Sequence, residues 1–467
     1  MTPSQRRIHS IRSQPPSQSS TASTPSPAVT SQLAEERPSR QGFHPPEVTS
    51  IVDTGLSLGF LVDLVLKVMY FEGFISGSKI AKMVKLPFGG VVEEALEFLR
   101  REKLCEVRGA GGLGTSSYQF IISDKGSEKA REVMERSMYA GPAPVPLHAY
   151  AESVRQQPLK NVTVHPSVMR QMLSHLVLRE ETFNQIGPAV HSGRSIFLFG
   201  PPGNGKTAIA ESIGRMLMTD EMYIPYAFEV DGHVVKVFDD VNHQLAEDQS
   251  GDNSGHGSAR NGQLDRRWVK VKRPVVVVGG ELTLEALDLV FDETSKFYEA
   301  PFQVKANGGM FLIDDFGRQR ARPQNLLNRW IVPLEKRVDY LTLHTGRKIE
   351  IPFEVLIVFA TNLEPKDLVD EAFLRRIRNR IHVGNPSYEA FREIFRCVCQ
   401  AKGVPYDDQT LAYLLREHYV KRQRPLRACH PRDLIDQVVD TARFLNMPPR
   451  LSEETIDEAC ESYFVDL

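Results

Sequence analysis

The run Gly200-Pro201-Pro202-Gly203-Asn204-Gly205-Lys206-Thr207 has the spacing GxxxxGK[ST], a pattern whose glycines let backbone N–H groups curl around phosphate oxygens. An apolar run, residues 195–199 (SIFLF), precedes it and a helical pattern, residues 208–218, follows. The loop therefore joins a strand to a helix N-terminus, which adds about half a positive charge at the same point. Lys206 is suited to the β- and γ-phosphates of a nucleotide, and Thr207 to a Mg²⁺ ion. A glycine-rich turn that binds nothing has no structural use for the lysine.

Such chemistry needs an acid at the end of a second buried strand. Residues 309–315 (GMFLIDD) supply an apolar run ending in Asp314 and Asp315, the Walker B pattern. Successive strand residues point to opposite sides, so Asp314 is expected to hold Mg²⁺ and Asp315 to orient and polarise an attacking water. A third apolar run, residues 355–362 (VLIVFATN), ends in Asn362, which can hydrogen-bond that water or the terminal phosphate.

These runs, with residues 370–377 (DEAFLRRI) and 430–434 (HPRDL), resemble the AAA+ ATPase superfamily from about residue 160 to the end. The resemblance implies a P-loop three-layer αβα core at residues 161–385 and an α-helical lid at 386–467, with ATP and Mg²⁺ as cofactors. It places Arg375 and Arg376 where the superfamily delivers an arginine finger to ATP in a neighbouring subunit. A guanidinium there would offset charge on the transferred phosphoryl group, and a ring-forming homo-oligomer would follow. Arg432 falls at the sensor 2 position, at the start of a lid helix and directed to the γ-phosphate in cis.

Three departures from the pattern matter. Asp315 stands where many members have Glu, one methylene longer, which points to slow turnover. An excess of chain at about 222–272 carries runs 227–230 and 234–237 around Asp231-Gly232, then a polar stretch, 250–262, read as an inserted hairpin with a flexible loop. The loop after the second core strand, Gly279-Gly280-Glu281-Leu282, lacks the aromatic residue with which unfoldases of the superfamily grip a polypeptide. Phe297, Tyr298 and Phe302 lie further on and are read as packing residues.

The elements that position these groups follow from composition and periodicity. At 467 residues and 41% hydrophobic, the chain is long enough for about three domains. Residues 1–47, rich in Gln, Ser, Thr and Pro, have too little apolar surface to offset chain entropy and read as a disordered tail. Residues 48–138 give helices, two strand-like runs (104–108 and 118–122) joined by a glycine-rich turn, and a closing helix. That order resembles a winged helix domain, with 88–101 as its recognition helix. Residues 139–160 contain GPAPVPL and QQP and read as a linker. Beyond Pro386, apolar positions three and four apart mark helices near 388–401, 408–421, 431–445 and 453–463.

Charge narrows the partners. Lys+Arg 57 against Asp+Glu 59 leaves a net charge of −2, so no global basic excess marks a nucleic-acid or membrane-surface binder. Within 88–101, Glu93, Glu94 and Glu97 occupy the middle, a distribution that repels phosphate. Residues 51–71 carry Asp53, Asp63 and Lys67, too many charges for membrane insertion. Five scattered cysteines argue for a reducing compartment, and with no apolar signal region the cytoplasm is expected. Cys397 and Cys399 are read as core thiols. The preferred expectation is an oligomeric ATPase that remodels or assembles a protein partner recruited by the N-terminal domain. The alternatives are an ATP-switched DNA-binding regulator, disfavoured by the acidic helix, and a nucleotide-gated scaffold, suggested by Asp315.

Overall fold

The computed structural model describes residues 42–110, 112, 114–162, 164–246, 264–368 and 375–464. Its centre is a five-stranded sheet of β1 (Ile196–Phe199), β2 (Val275–Val278), β3 (Met310–Ile313), β4 (Leu356–Thr361) and β5 (Asn379–His382), in the order β2-β3-β4-β1-β5. All four pairings are parallel. Every residue of β3 and β4 is buried, as expected of parallel strands covered on both faces, which read as continuous apolar runs. Alternate side chains supply separate cores. Met310, Leu312, Leu356, Val358 and Ala360 face α1 (Lys206–Leu217). Phe311, Ile313, Ile357 and Phe359 face α2 (Pro323–Lys336), where Trp330 is fully buried. The expected α/β architecture with a parallel sheet is therefore present.

The inserted segment forms a hairpin, Ala227–Val230 against His233–Lys236. Its turn residues Asp231 and Gly232 have φ of 52° and 80°, the left-handed pair that a two-residue hairpin turn requires. A further antiparallel pair, Glu221–Pro225 with Trp268–Lys272, closes the insert. The expected polar loop, residues 250–262, lies outside the described residues. Phe297, Tyr298 and Phe302 do pack: Tyr298 is fully buried, and Phe297 and Phe302 meet Tyr139 and Phe311 edge-on and stacked, respectively.

Two boundaries differ from the sequence reading. Residues 139–160 are not a free spacer: Val145–Pro146 pairs in parallel with Ala227–Val230, and Leu147–Gln156 is a helix with Tyr150 fully buried. The prolines of that stretch border an edge strand, which tolerates the missing N–H donor. At the tail, residues 1–41 lie outside the described residues, whereas Pro45 is buried, the half-buried Phe43 ring lies 4.8 Å from the Trp268 ring and Glu47 is bridged to Leu264.

The N-terminal module contains helices Leu58–Glu72, Gly77–Val84, Glu93–Arg101 and Asp124–Met134, with a three-stranded antiparallel sheet of Phe74–Ser76, Tyr118–Ile122 and Cys105–Ala110. The short first strand was not legible in the sequence. The stretch 88–101 is not one helix: Gly90, at φ 75°, breaks it, and a Cβ there would lie 2.2 Å from the Thr49 carbonyl oxygen. Lys67, on the apolar helix, is buried and donates to the Ser137 carbonyl at 3.0 Å.

The C-terminal region forms helices Tyr388–Lys402, Asp408–Leu414, His430–Phe444 and Glu453–Tyr463 around one core that includes Phe391, Phe395, Leu434 and Ile456. Cys399 belongs to this core but Cys397 is exposed. The two were read together as core thiols. Positions two apart on a helix are separated by about 200° and cannot share a face.

Candidate functional site

Strand register brings the three motifs together at the carboxyl ends of the central strands. Phe199 is level with Thr361, and Ile313 with Phe359, so the residues that follow β1, β3 and β4 emerge side by side. Gly200, Gly203 and Gly205 take φ of 136°, 78° and 81°, backbone conformations that other residues rarely adopt. At Gly200 a Cβ would also meet the Val383 carbonyl oxygen at 2.4 Å. Lys206 opens α1 and is 6% exposed. Its ammonium donates to the carbonyls of Gly200 and Pro201, each at 2.9 Å. Burial pulls its pKa down, and the charges of Asp315 and Asp314 oppose the shift.

Thr207 Oγ1 lies 3.1 and 3.0 Å from the two carboxylate oxygens of Asp314. Hydroxyl and carboxylate oxygens are hard donors suited to Mg²⁺. Among the described residues no group of three or more His, Cys, Asp or Glu could hold a metal ion, so a cation here would need oxygens from a bound phosphate or water to fill its shell. Asp315 has φ 48°, an uncommon conformation for a residue other than glycine. Its carboxylate accepts from Asn362 Nδ2 at 3.1 Å. The loop behind it is held by Gln319, which donates to the Asp314 carbonyl and accepts from the Gly317 N–H.

A cavity of about 630 Å³ joins these groups. Pro202, Gly203, Asn204, Gly205, Lys206, Thr207, Asp314, Asp315 and Asn362 line it, and so does Arg432 from the C-terminal helices. Arg432 pairs with the adjacent Asp433 at 3.0 Å, and Tyr463 holds the other oxygen of that carboxylate at 2.8 Å. The structure does not bring Arg375 and Arg376 into the cavity lining. Arg375 is exposed, and Arg376 pairs with Glu335 on α2 at 2.6 Å. Residues 369–374, which carry most of the expected finger segment, lie outside the described residues.

Other cavity residues escaped the sequence reading. His175 to Leu178 form one wall, and Ile394, Ala428 and Cys429 another. None belongs to a motif with its own spacing, so no local signal marks them. Asn204 was expected among the nucleotide-binding residues of the phosphate loop; it is buried and bonded to both Asn385 and Ala428, contacts with no signal in the sequence.

In the N-terminal module, Thr115 of the turn donates to Glu93 at 2.6 Å, while Glu94 and Glu97 are exposed. No helix among the described residues is long and apolar enough to cross a membrane.

Comparison with known proteins gives one family match, to a domain of unknown function (DUF8689), over residues 387–462. No curated protein matches the chain. Among solved structures, NtrX from Brucella abortus in complex with ADP is 14% identical, with a TM-score of 0.37 over 62% of this chain and 56% of that one. This chain thus spans little more than half the length of that relative. The RuvB Holliday junction branch migration motor of Thermotoga maritima is 14% identical, with a TM-score of 0.35 over 62% of this chain and 70% of that one.

Proposed function

We propose that the chain is a Mg²⁺-dependent ATPase of the AAA+ type, working as an oligomer that remodels or assembles a protein partner. The observation that carries this reading is the convergence of Lys206, Thr207, Asp314, Asp315 and Asn362 on one cavity at the carboxyl ends of the central strands of a parallel sheet. The donor set fits a nucleoside triphosphate with its cation: a loop rich in left-handed glycines, a buried ammonium and a hydroxyl–carboxylate pair.

Bound Mg²⁺ would screen the phosphate charge and polarise the bond to the leaving group. Thr207 and Asp314 would hold it. Lys206 exchanges the Gly200 and Pro201 carbonyls for phosphate oxygens, which replaces dipole partners by full charges. Asp315 accepts a hydrogen bond from the attacking water and orients it, while Asn362 fixes the Asp315 carboxylate. Arg432, released from Asp433, reaches the nucleotide from the same chain. Arg375 or Arg376 acts on the nucleotide of a neighbouring subunit, so hydrolysis requires assembly.

The test is direct. Lys206→Ala should lose ATP binding, and Asp315→Asn should keep binding but stop turnover. Hydrolysis by Lys206→Ala as fast as by the parent would refute the site. Arg375→Ala or Arg376→Ala mixed with Asp315→Asn should recover activity if the finger acts in trans. Full activity of both arginine variants on their own removes that part of the reading.

A further inference from the structure

We infer that Asn204 is a positioning residue that latches the C-terminal helices over the nucleotide cavity. This rests on the ATPase reading of the site and assigns the phosphate loop a second task, control of the lid. The Asn204 side chain is 6% exposed and uses both ends of its amide. Its Nδ2 donates to Asn385 Oδ1 at 2.8 Å, in the segment after β5. Its Oδ1 accepts the Ala428 N–H at 3.1 Å, just before the helix His430–Phe444. One residue back, the Gly203 carbonyl accepts the Cys429 N–H at 2.8 Å.

The loop that cradles phosphate is thus the acceptor for two successive lid amides. The contact is close: a Cβ on Gly203 would lie 2.5 Å from Cys429 Sγ. Ala428 and Cys429 also line the cavity with Asn204, so the latch lies where a nucleotide would touch both parts. These bonds hold residues 428 and 429 in place over the cavity, so less of that ordering falls to the ligand. A preorganised site binds more tightly than one whose lid must be captured by the ligand.

Hydrogen exchange at residues 426–430 and the dissociation constant of a nonhydrolysable ATP analogue test the inference. In nucleotide-free Asn204→Ala, the Ala428 amide should exchange about fivefold faster, the worth of one net hydrogen bond, and the dissociation constant should rise by a similar factor. Asn385→Ala keeps the acceptor but loses its anchor. It should show both effects in weaker form, with turnover at saturating ATP within about twofold of the parent. A merely structural defect would instead lower turnover and speed exchange throughout the bundle. Exchange at Ala428 as slow as in the parent, or an unchanged dissociation constant in both variants, overturns the latch. Failure of the parent to bind the analogue would sink the ATPase reading, and the exchange data would still report on the latch bonds.

Discussion

Replacing Arg267 by Met removes a buried guanidinium that ties three parts of the chain together. Arg267 and Asp265 side chains are 3% and 1% exposed and pair at 2.9 Å. The same guanidinium donates from Nη1 to the Thr54 carbonyl at 2.8 Å and the Pro144 carbonyl at 3.0 Å, so it joins the insert to the N-terminal module and to the segment that follows it. Its loss strands the Asp265 carboxylate with little beyond the Arg267 backbone N–H at 3.0 Å. Breaking a buried pair in this way costs about 3–5 kcal/mol, or roughly two to three and a half orders of magnitude in the local opening equilibrium. Two amides cross from the module region to its surroundings and report that opening: Met138 N to the Ser295 carbonyl at 2.9 Å, and Ala143 N to the Val84 carbonyl at 2.8 Å. Their hydrogen exchange should accelerate by that factor in Arg267→Met. The double variant Asp265→Leu/Arg267→Met leaves no stranded charge and should recover most of the protection. Exchange at Met138 and Ala143 within about threefold of the parent in the single variant would refute the view that this pair clamps the module to the core.

Asn362→Ala frees the Asp315 carboxylate from its 3.1 Å bond. It should lower the turnover number by about 10²-fold, in the range of a mispositioned water, with ATP affinity nearly unchanged, as steady-state kinetics against a binding titration would reveal. Gly203→Ala meets both a φ of 78° and the Cys429 sulfur. It should weaken nucleotide binding by at least about fivefold through about 1–3 kcal/mol of strain, and parent-like affinity would show that the loop moves freely. His430 is buried against Tyr419, and burial first, then the Arg427 charge, depresses its pKa to about 4. The unfolded imidazole, near 6.5, takes up its proton first as pH falls, so this group's contribution is complete above 6.5 and lost on descent towards 4. Urea midpoints between pH 7 and 5 should fall, and His430→Gln should flatten that slope.

Much of the core was legible because its chemistry is local. The phosphate loop, the paired aspartates and the apolar runs of β1, β3 and β4 are contiguous in sequence, and the helices after Pro386 appeared near their observed limits. Three features were hidden by their dependence on distant partners. The strand Phe74–Ser76 is three residues long and exists through pairing with Tyr118–Ile122. Residues 139–160 look like a spacer until Val145–Pro146 finds the inserted hairpin. The exposure of Cys397 is set by which face of its helix meets the bundle.

The sequence by itself determined the donor types: an ammonium, a hydroxyl, two carboxylates and an amide, each at the end of an apolar run or on a glycine-rich turn. Side-chain chemistry and backbone freedom are properties of single residues and short windows, so they survive without coordinates. Tertiary structure alone decided which groups share a cavity, since parallel strands of 4–6 residues, spread from β1 to β5, align only through hydrogen-bonded register. It also decided that Asn204 faces a helix more than two hundred residues away in the chain. A buried amide must satisfy both its ends, and the partners that satisfy this one are set by packing.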